Sequence, residues 1–261
     1  MIILGKSVSD QAAEAIAAIE ARLKKTVVYE FTDTSKTDAF GECDYTQPDA
    51  YYVRSKEALL NITKAKVVNI PFETNIIHEL SHLCQIEENF PHTATMYNQT
   101  TEQNIGYYDQ LGSLFVSSIL DMNVDSRLKQ LGYTSEYFYK HRINRAQKIA
   151  RKNEEYKEHI TFIGMAIPLV CLNVLYPGSD MEGLLRQYQA KNPGLINCVR
   201  VLSSGIQEIG YDTSDGAFRS LVFLFSAFNL FSTHEIVYNG KEYRSLDSVK
   251  KDYPDIRIAH P

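Results

Sequence analysis

The chain has 261 residues, 44% of them hydrophobic and 23% charged, with Lys+Arg 27 against Asp+Glu 32 and a formal charge of -5. That is enough apolar material for one large core or two small ones, so disorder as the main state is excluded. The acidic balance argues against a nucleic-acid partner, and four cysteines without a Cys-x-x-Cys pair argue against both a cysteine zinc site and a disulfide scaffold.

The opening Met-Ile-Ile-Leu-Gly-Lys turns polar within six residues and lacks the layout of a signal peptide, so a reduced, cytoplasmic protein is expected. From Asp10 to Lys24, Ala12, Ile16, Ile19 and Leu23 recur at helical spacing behind Ser9 or Asp10 as N-cap. Thr26 to Phe31 is β-branched and aromatic, and Phe40 to Tyr45 with Tyr51 to Arg54 read as two more strands around Gln47-Pro48-Asp49. Val67 to Pro71 reads as extended, because the residue before proline is pushed out of the helical region, and Glu73 to Gln85 as a helix.

Asp109 to Leu131 shows a second long helical pattern stopped by Gly132, and Tyr133 to Lys140 reads as an aromatic loop. Six Lys or Arg residues between Lys140 and Lys152 surround Ile143, Ala146, Ile149 and Ala150, which describes a basic amphipathic helix with a solvated face. Apolar helices follow at Ile160 to Tyr176 and Phe218 to Phe231, with a polar one at Met181 to Ala190. The first of these falls short of the roughly 20 clean apolar residues that span a bilayer, so no membrane partner is expected. Asn239-Gly240 marks a hairpin within Ile236 to Tyr243. The expected class is α+β: residues 1 to 132 as a core, and residues 133 to 261 as a mainly helical extension ending in a β-hairpin, able to share that core.

One motif carries chemistry. Residues Asn75 to Cys84 contain His78-Glu79-Leu80-Ser81-His82, the pattern His-Glu-x-x-His, expected by chance in roughly 0.01 copies for a chain with 7 His. Two histidines four apart lie on one helical face about 6 Å along the axis, so both imidazoles can converge on one ion, with zinc as the natural occupant. Glu79 can then reach a water whose pKa the metal lowers to about 7, and serves as general base.

On these residues the chain resembles the zincin metallopeptidases, in which a short sheet precedes the His-Glu-x-x-His helix. The likeness covers residues 10 to 130, and only the motif is specific. The metzincin version would need Gly at 85 and His at 88, where this chain has Gln85 and Glu88. The resemblance therefore points to the gluzincin-like arrangement, in which a later carboxylate completes the site and another four residues on supports a histidine. Asp121 and Asp125 match that spacing with the shorter acid. Asp121 is then the third ligand and Asp125 the supporting group or the ligand in its place, with Glu88, Glu102 and Asp109 as further alternatives.

The implied function is a zinc-dependent metallohydrolase acting as an intracellular peptidase on a peptide or protein. The competing expectation is a zincin-like scaffold without turnover that binds a partner. An extended peptide would add to the edge of the small sheet. Tyr137, Tyr139, His141 and His159 are candidate oxyanion donors that spacing does not separate. Cys84, about 200° around the helix from His82, is expected to pack into the core, and His92, His234 and His260 are given no function.

Overall fold

A computed structural model describes residues 1–32, 41–57, 70–96, 105–133, 136–152 and 159–259. The architecture is mixed α+β, largely helical with small sheets, as the composition and spacing imply. Two compact units form: Met1–Glu88 with Val124–Tyr137, and Asn89–Asn123 with Phe138–Pro261. Among the described residues no helix is long and apolar enough to cross a membrane.

The first unit opens with a small hairpin, β1 (Ile2–Ile3) against β2 (Lys6–Ser7), turning through Leu4 and Gly5 at positive φ. Helix α1 (Asp10–Glu20) follows, with Ser9 Oγ accepting from Ala12 N at 3.2 Å as N-cap. Strands β3 (Thr26–Phe31), β4 (Gly41–Asp44) and β5 (Ala50–Ser55) form a sheet with β5 in the middle, parallel to β3 and antiparallel to β4. Alternation along β5 turns Tyr51, Val53 and Ser55 inward.

Helix α2 (Ile70–Glu87) packs on this sheet and on α1. Ile70 and Pro71, expected to be extended, are already helical. Proline suits the first turn, where its missing N–H would have no helical partner. Residues 67–69 of that expected segment lie outside the described residues. Phe72, Ile76, Ile77, Leu80 and Leu83 are all fully buried, so α2 is a core helix rather than a surface one. Its direction is fixed at both ends. Glu73 in its first turn is bonded to Ser9 at the start of α1, while Glu87 and Glu88 at its end meet Lys24 and Arg22 just past the end of α1. Start meets start and end meets end, so α1 and α2 run side by side in parallel.

Helix α3 (Ile105–Gln130) is unbroken, and its last turns give Val124 and Leu128 to the core of the first unit. It ends at Gly132, whose φ of +79° lets Tyr133 N reach Leu128 O at 2.9 Å and Gly132 N reach Lys129 O at 3.0 Å.

Helix α4 (Glu136–Lys152), in the second unit from Phe138 on, begins four residues ahead of Lys140, so the stretch expected as a loop to Lys140 is helical from Glu136. Its narrow apolar stripe is buried at Ile143, Ala146 and Ala150. Helices α5 (His159–Leu175), α6 (Ser179–Gln189), α7 (Pro193–Ile209) and α8 (Ser214–Ala227) follow. The helix expected over Phe218 to Phe231 thus starts earlier, at a Thr213 cap, and stops at Ala227 before a left-handed Asn229 and the 3-10 turn Leu230–Ser232. Strand β6 (His92–Thr95) pairs with β7 (His234–Tyr238), which turns through Asn239 and Gly240, both at positive φ, into β8 (Lys241–Tyr243). Helix α9 (Leu246–Asp252) closes the described elements.

Candidate metal centre

The face of α2 that carries the motif brings its two histidines together. His78 Nε2 and His82 Nε2 are 3.2 Å apart, with the rings edge to face and their centroids 4.8 Å apart. Two nitrogens each about 2.05 Å from a tetrahedral ion would stand about 3.3 Å apart, so this spacing fits an ion between them. The ligand atoms of His78, His82 and Asp121 all lie within 4.8 Å of one another, and this group can hold a metal ion.

Neighbouring side chains orient two of the three. His82 Nδ1 meets Gln85 Oε1 at 2.8 Å, which keeps the Nε2 edge of the ring turned to the site. Asp121 is half-buried on α3 and accepts from Arg142 Nη2 of α4 at 3.0 Å through Oδ2. Asp125, one turn on, is fully buried and is not part of the converging group.

Glu79 follows His78 around the helix and is only 7% exposed. It faces β4, where a Cβ added at Gly41 would stand 3.0 Å from Glu79 Oε1, 2.5 Å from Asn75 Nδ2 and 2.7 Å from the Arg54 carbonyl oxygen. Only glycine lets the strand come this near to the helix. Asn75 is itself held by donating to Ser55 Oγ at 3.1 Å. Cys43, two residues along β4, has its thiol pushed well up, first by burial and then by the negative charge of Glu79. It stays protonated, a poor ligand and a poor nucleophile.

Glu88 is clamped between Arg22 at 2.5 Å and Arg127, and Asp109 accepts from Thr95 Oγ1 at 2.5 Å. Glu102 lies outside the described residues, as do the side chains of Tyr137, Tyr139, His141 and His159. Cys84 packs in the core of the first unit, and burial raises its thiol pKa. His234 is buried between Thr233 Oγ1 at 2.8 Å and the Tyr108 carbonyl oxygen at 2.7 Å, as a satisfied core histidine. His92 is exposed at the start of β6, and His260 lies outside the described residues.

Gln85, Arg142 and Gly41 are the site residues that the sequence does not announce. Gln85 had a readable signal, its place one turn beyond His82. Comparison with protein-family models, with curated proteins and with solved structures finds no match.

Proposed function

We propose that this protein is a zinc-dependent hydrolase, and within that class an intracellular peptidase of zincin type. One observation carries the reading: two histidine Nε2 atoms 3.2 Å apart on one helical face, grouped with the Asp121 carboxylate and followed directly by a glutamate. Two imidazoles and a carboxylate are the donor set of a three-ligand zinc site that keeps a position open. Zinc held there supplies Lewis acidity and lowers the pKa of a water in the open position to about 7.

The remaining work falls to this chain's own residues. His78, His82 and Asp121 hold the ion, and Gln85 and Arg142 orient two of them. Glu79 takes the proton from the attacking water and passes it to the departing amine nitrogen. Its burial against β4 shields the carboxylate from bulk water, which favours proton transfer within the site. Substrate would be an extended peptide added alongside β4, which closes one side of the sheet order β3-β5-β4. Four free cysteines suit a reducing compartment, and the proposal puts the enzyme there.

Elemental analysis should find about one zinc per chain after purification. The protein should cleave unstructured peptides, and Glu79→Gln should keep the zinc while stopping cleavage, because an amide cannot accept the proton. A wild type that takes up no metal would remove the basis of the proposal. Zinc without turnover in the wild type would move the reading to a metal-bearing scaffold that binds a partner protein.

A further inference from the structure

The two histidines are not equivalent. Gln85 lies three residues after His82 on α2, so their side chains are neighbours on the helix surface. It is 1% exposed, and its Oε1 stands 2.8 Å from His82 Nδ1. An amide oxygen only accepts, so the hydrogen in this contact belongs to His82 Nδ1. A neutral imidazole carries one N–H, and His82 Nε2 therefore presents a lone pair. His78 Nε2 is 3.2 Å from it. Two lone pairs facing each other at that distance would repel, so with both rings neutral the hydrogen between them belongs to His78 Nε2, which faces His82 Nε2 with the Asp121 carboxylate nearby.

We propose that Gln85 is a positioning residue of the metal centre, fixing His82 as the Nδ1–H tautomer so that His82 engages the ion first and only His78 has to relocate a proton. The role toward a metal rests on the function proposed above, whereas the tautomer of His82 does not depend on any ion. Histidine ligands are commonly supported by a carboxylate or a carbonyl on their outer nitrogen. A neutral amide withdraws less positive character from the ring than a carboxylate does, so His82 is a weaker donor than a carboxylate-supported histidine. The ion correspondingly keeps more of its Lewis acidity. Replacing the amide by a carboxylate is thus expected to tighten metal binding.

Nitrogen-15 NMR of the full chain at neutral pH reads the tautomer of each ring, and titration of zinc against a competing chelator reads affinity. In the metal-free wild type, His82 is expected as the Nδ1–H form and His78 as the Nε2–H form, and zinc should change the form of His78 alone. Gln85→Leu, which keeps the volume and removes the acceptor, should weaken zinc binding about 10- to 100-fold, the usual cost of losing such an outer partner. Gln85→Glu should match or exceed the wild type. His82 in the Nε2–H form in the metal-free wild type overturns the proposal, and that reading needs no variant to fold. Unchanged zinc affinity in a folded Gln85→Leu overturns the role of Gln85 while leaving the metal centre intact. A wild type that binds no zinc overturns the metal centre and, with it, any role of Gln85 there.

Discussion

Ser9 donates to both carboxylate oxygens of Glu73, from its backbone N–H at 2.6 Å and from its hydroxyl at 2.9 Å. The same hydroxyl oxygen accepts from Ala12 N to cap α1, so one side chain joins the start of α1 to the first turn of α2. Hydrogen bonds to a charged group contribute about 1.5–3 kcal/mol each, and removing one partner leaves the other buried and unsatisfied. Glu73→Ala is therefore expected to destabilise the protein by about 3 kcal/mol, and Ser9→Ala by about 2 kcal/mol, since it keeps the backbone bond and loses the cap. Urea unfolding followed by circular dichroism measures both; equal and negligible losses would show that the two helices are held in place by packing alone.

The two aspartates of α3 should differ in what they do for the metal. Asp121→Ala removes a ligand and leaves two histidines, so zinc should be lost to a mild chelator. Asp125→Ala leaves the three converging ligand atoms in place, and with Asp125 in the histidine-supporting role that the resemblance implies it should weaken zinc affinity about 10- to 100-fold. Competitive titration of both variants decides the order. If the Asp125 variant were the metal-free one, the roles would be reversed.

Gly41 is expected to tolerate no side chain. A Cβ there would stand 2.7 Å from the Arg54 backbone oxygen on β5, an atom that cannot swing aside, so Gly41→Ala must shift β4 against β5 and displace the Asn75 amide and the Glu79 carboxylate of α2. Overpacking of this kind costs about 1–3 kcal/mol. If β4 guides substrate to Glu79, peptide cleavage should fall by more than the loss of folded protein explains. Unfolding curves and cleavage rates on the same sample separate the two effects.

Acid should weaken the join between α1 and α2 at its far end. Burial pushes the Glu87 carboxyl up, but the Lys24 ammonium and backbone N–H and the Tyr51 hydroxyl at 2.5 Å together outweigh it, holding its pKa below the ordinary value. Tyr51 in turn is pushed up to about 12, first by burial and then by Glu87. A carboxyl whose pKa is lower folded than unfolded adds stability that is complete above the unfolded value of about 4.3 and disappears as pH falls through the folded one. The gap in melting temperature between wild type and Glu87→Gln should accordingly be widest near neutral pH and close below about pH 4. A gap that stays constant down to pH 3 would contradict it.

The histidine helix, the three strands before it and the long helix ending at Gly132 are readable in the sequence because each rests on local signals: periodicity, β-branching, a glycine stop. Helix α7 is harder, since Ser203, Ser204 and Gly205 interrupt its apolar pattern. Gly205 is there for a partner distant in sequence, the Phe223 ring, which a Cβ would overlap at 2.3 Å. Strand β6 is short and polar, and it exists because β7, some 140 residues later, supplies its hydrogen bonds. In the site, the motif by itself marks His78, Glu79 and His82. Arg142 is hidden among the other cations of α4, and nothing in a run of basic residues says which of them meets an aspartate on another helix. Gly41 is equally silent, because its role is the absence of a side chain.

The first unit is assembled from two stretches of chain, and this governs when it can form during synthesis. Val124 and Leu128 are fully buried in its core, and Arg127 clamps Glu88 at the end of the histidine helix. A ribosome that has just released Glu88 has therefore made both histidines and Glu79 but not the pieces that close the core around them. The next forty-odd residues take a few seconds at about 5–20 residues per second. During that interval the apolar face of α2 is without part of its cover, and the His78–His82–Asp121 group is incomplete until α3 has emerged.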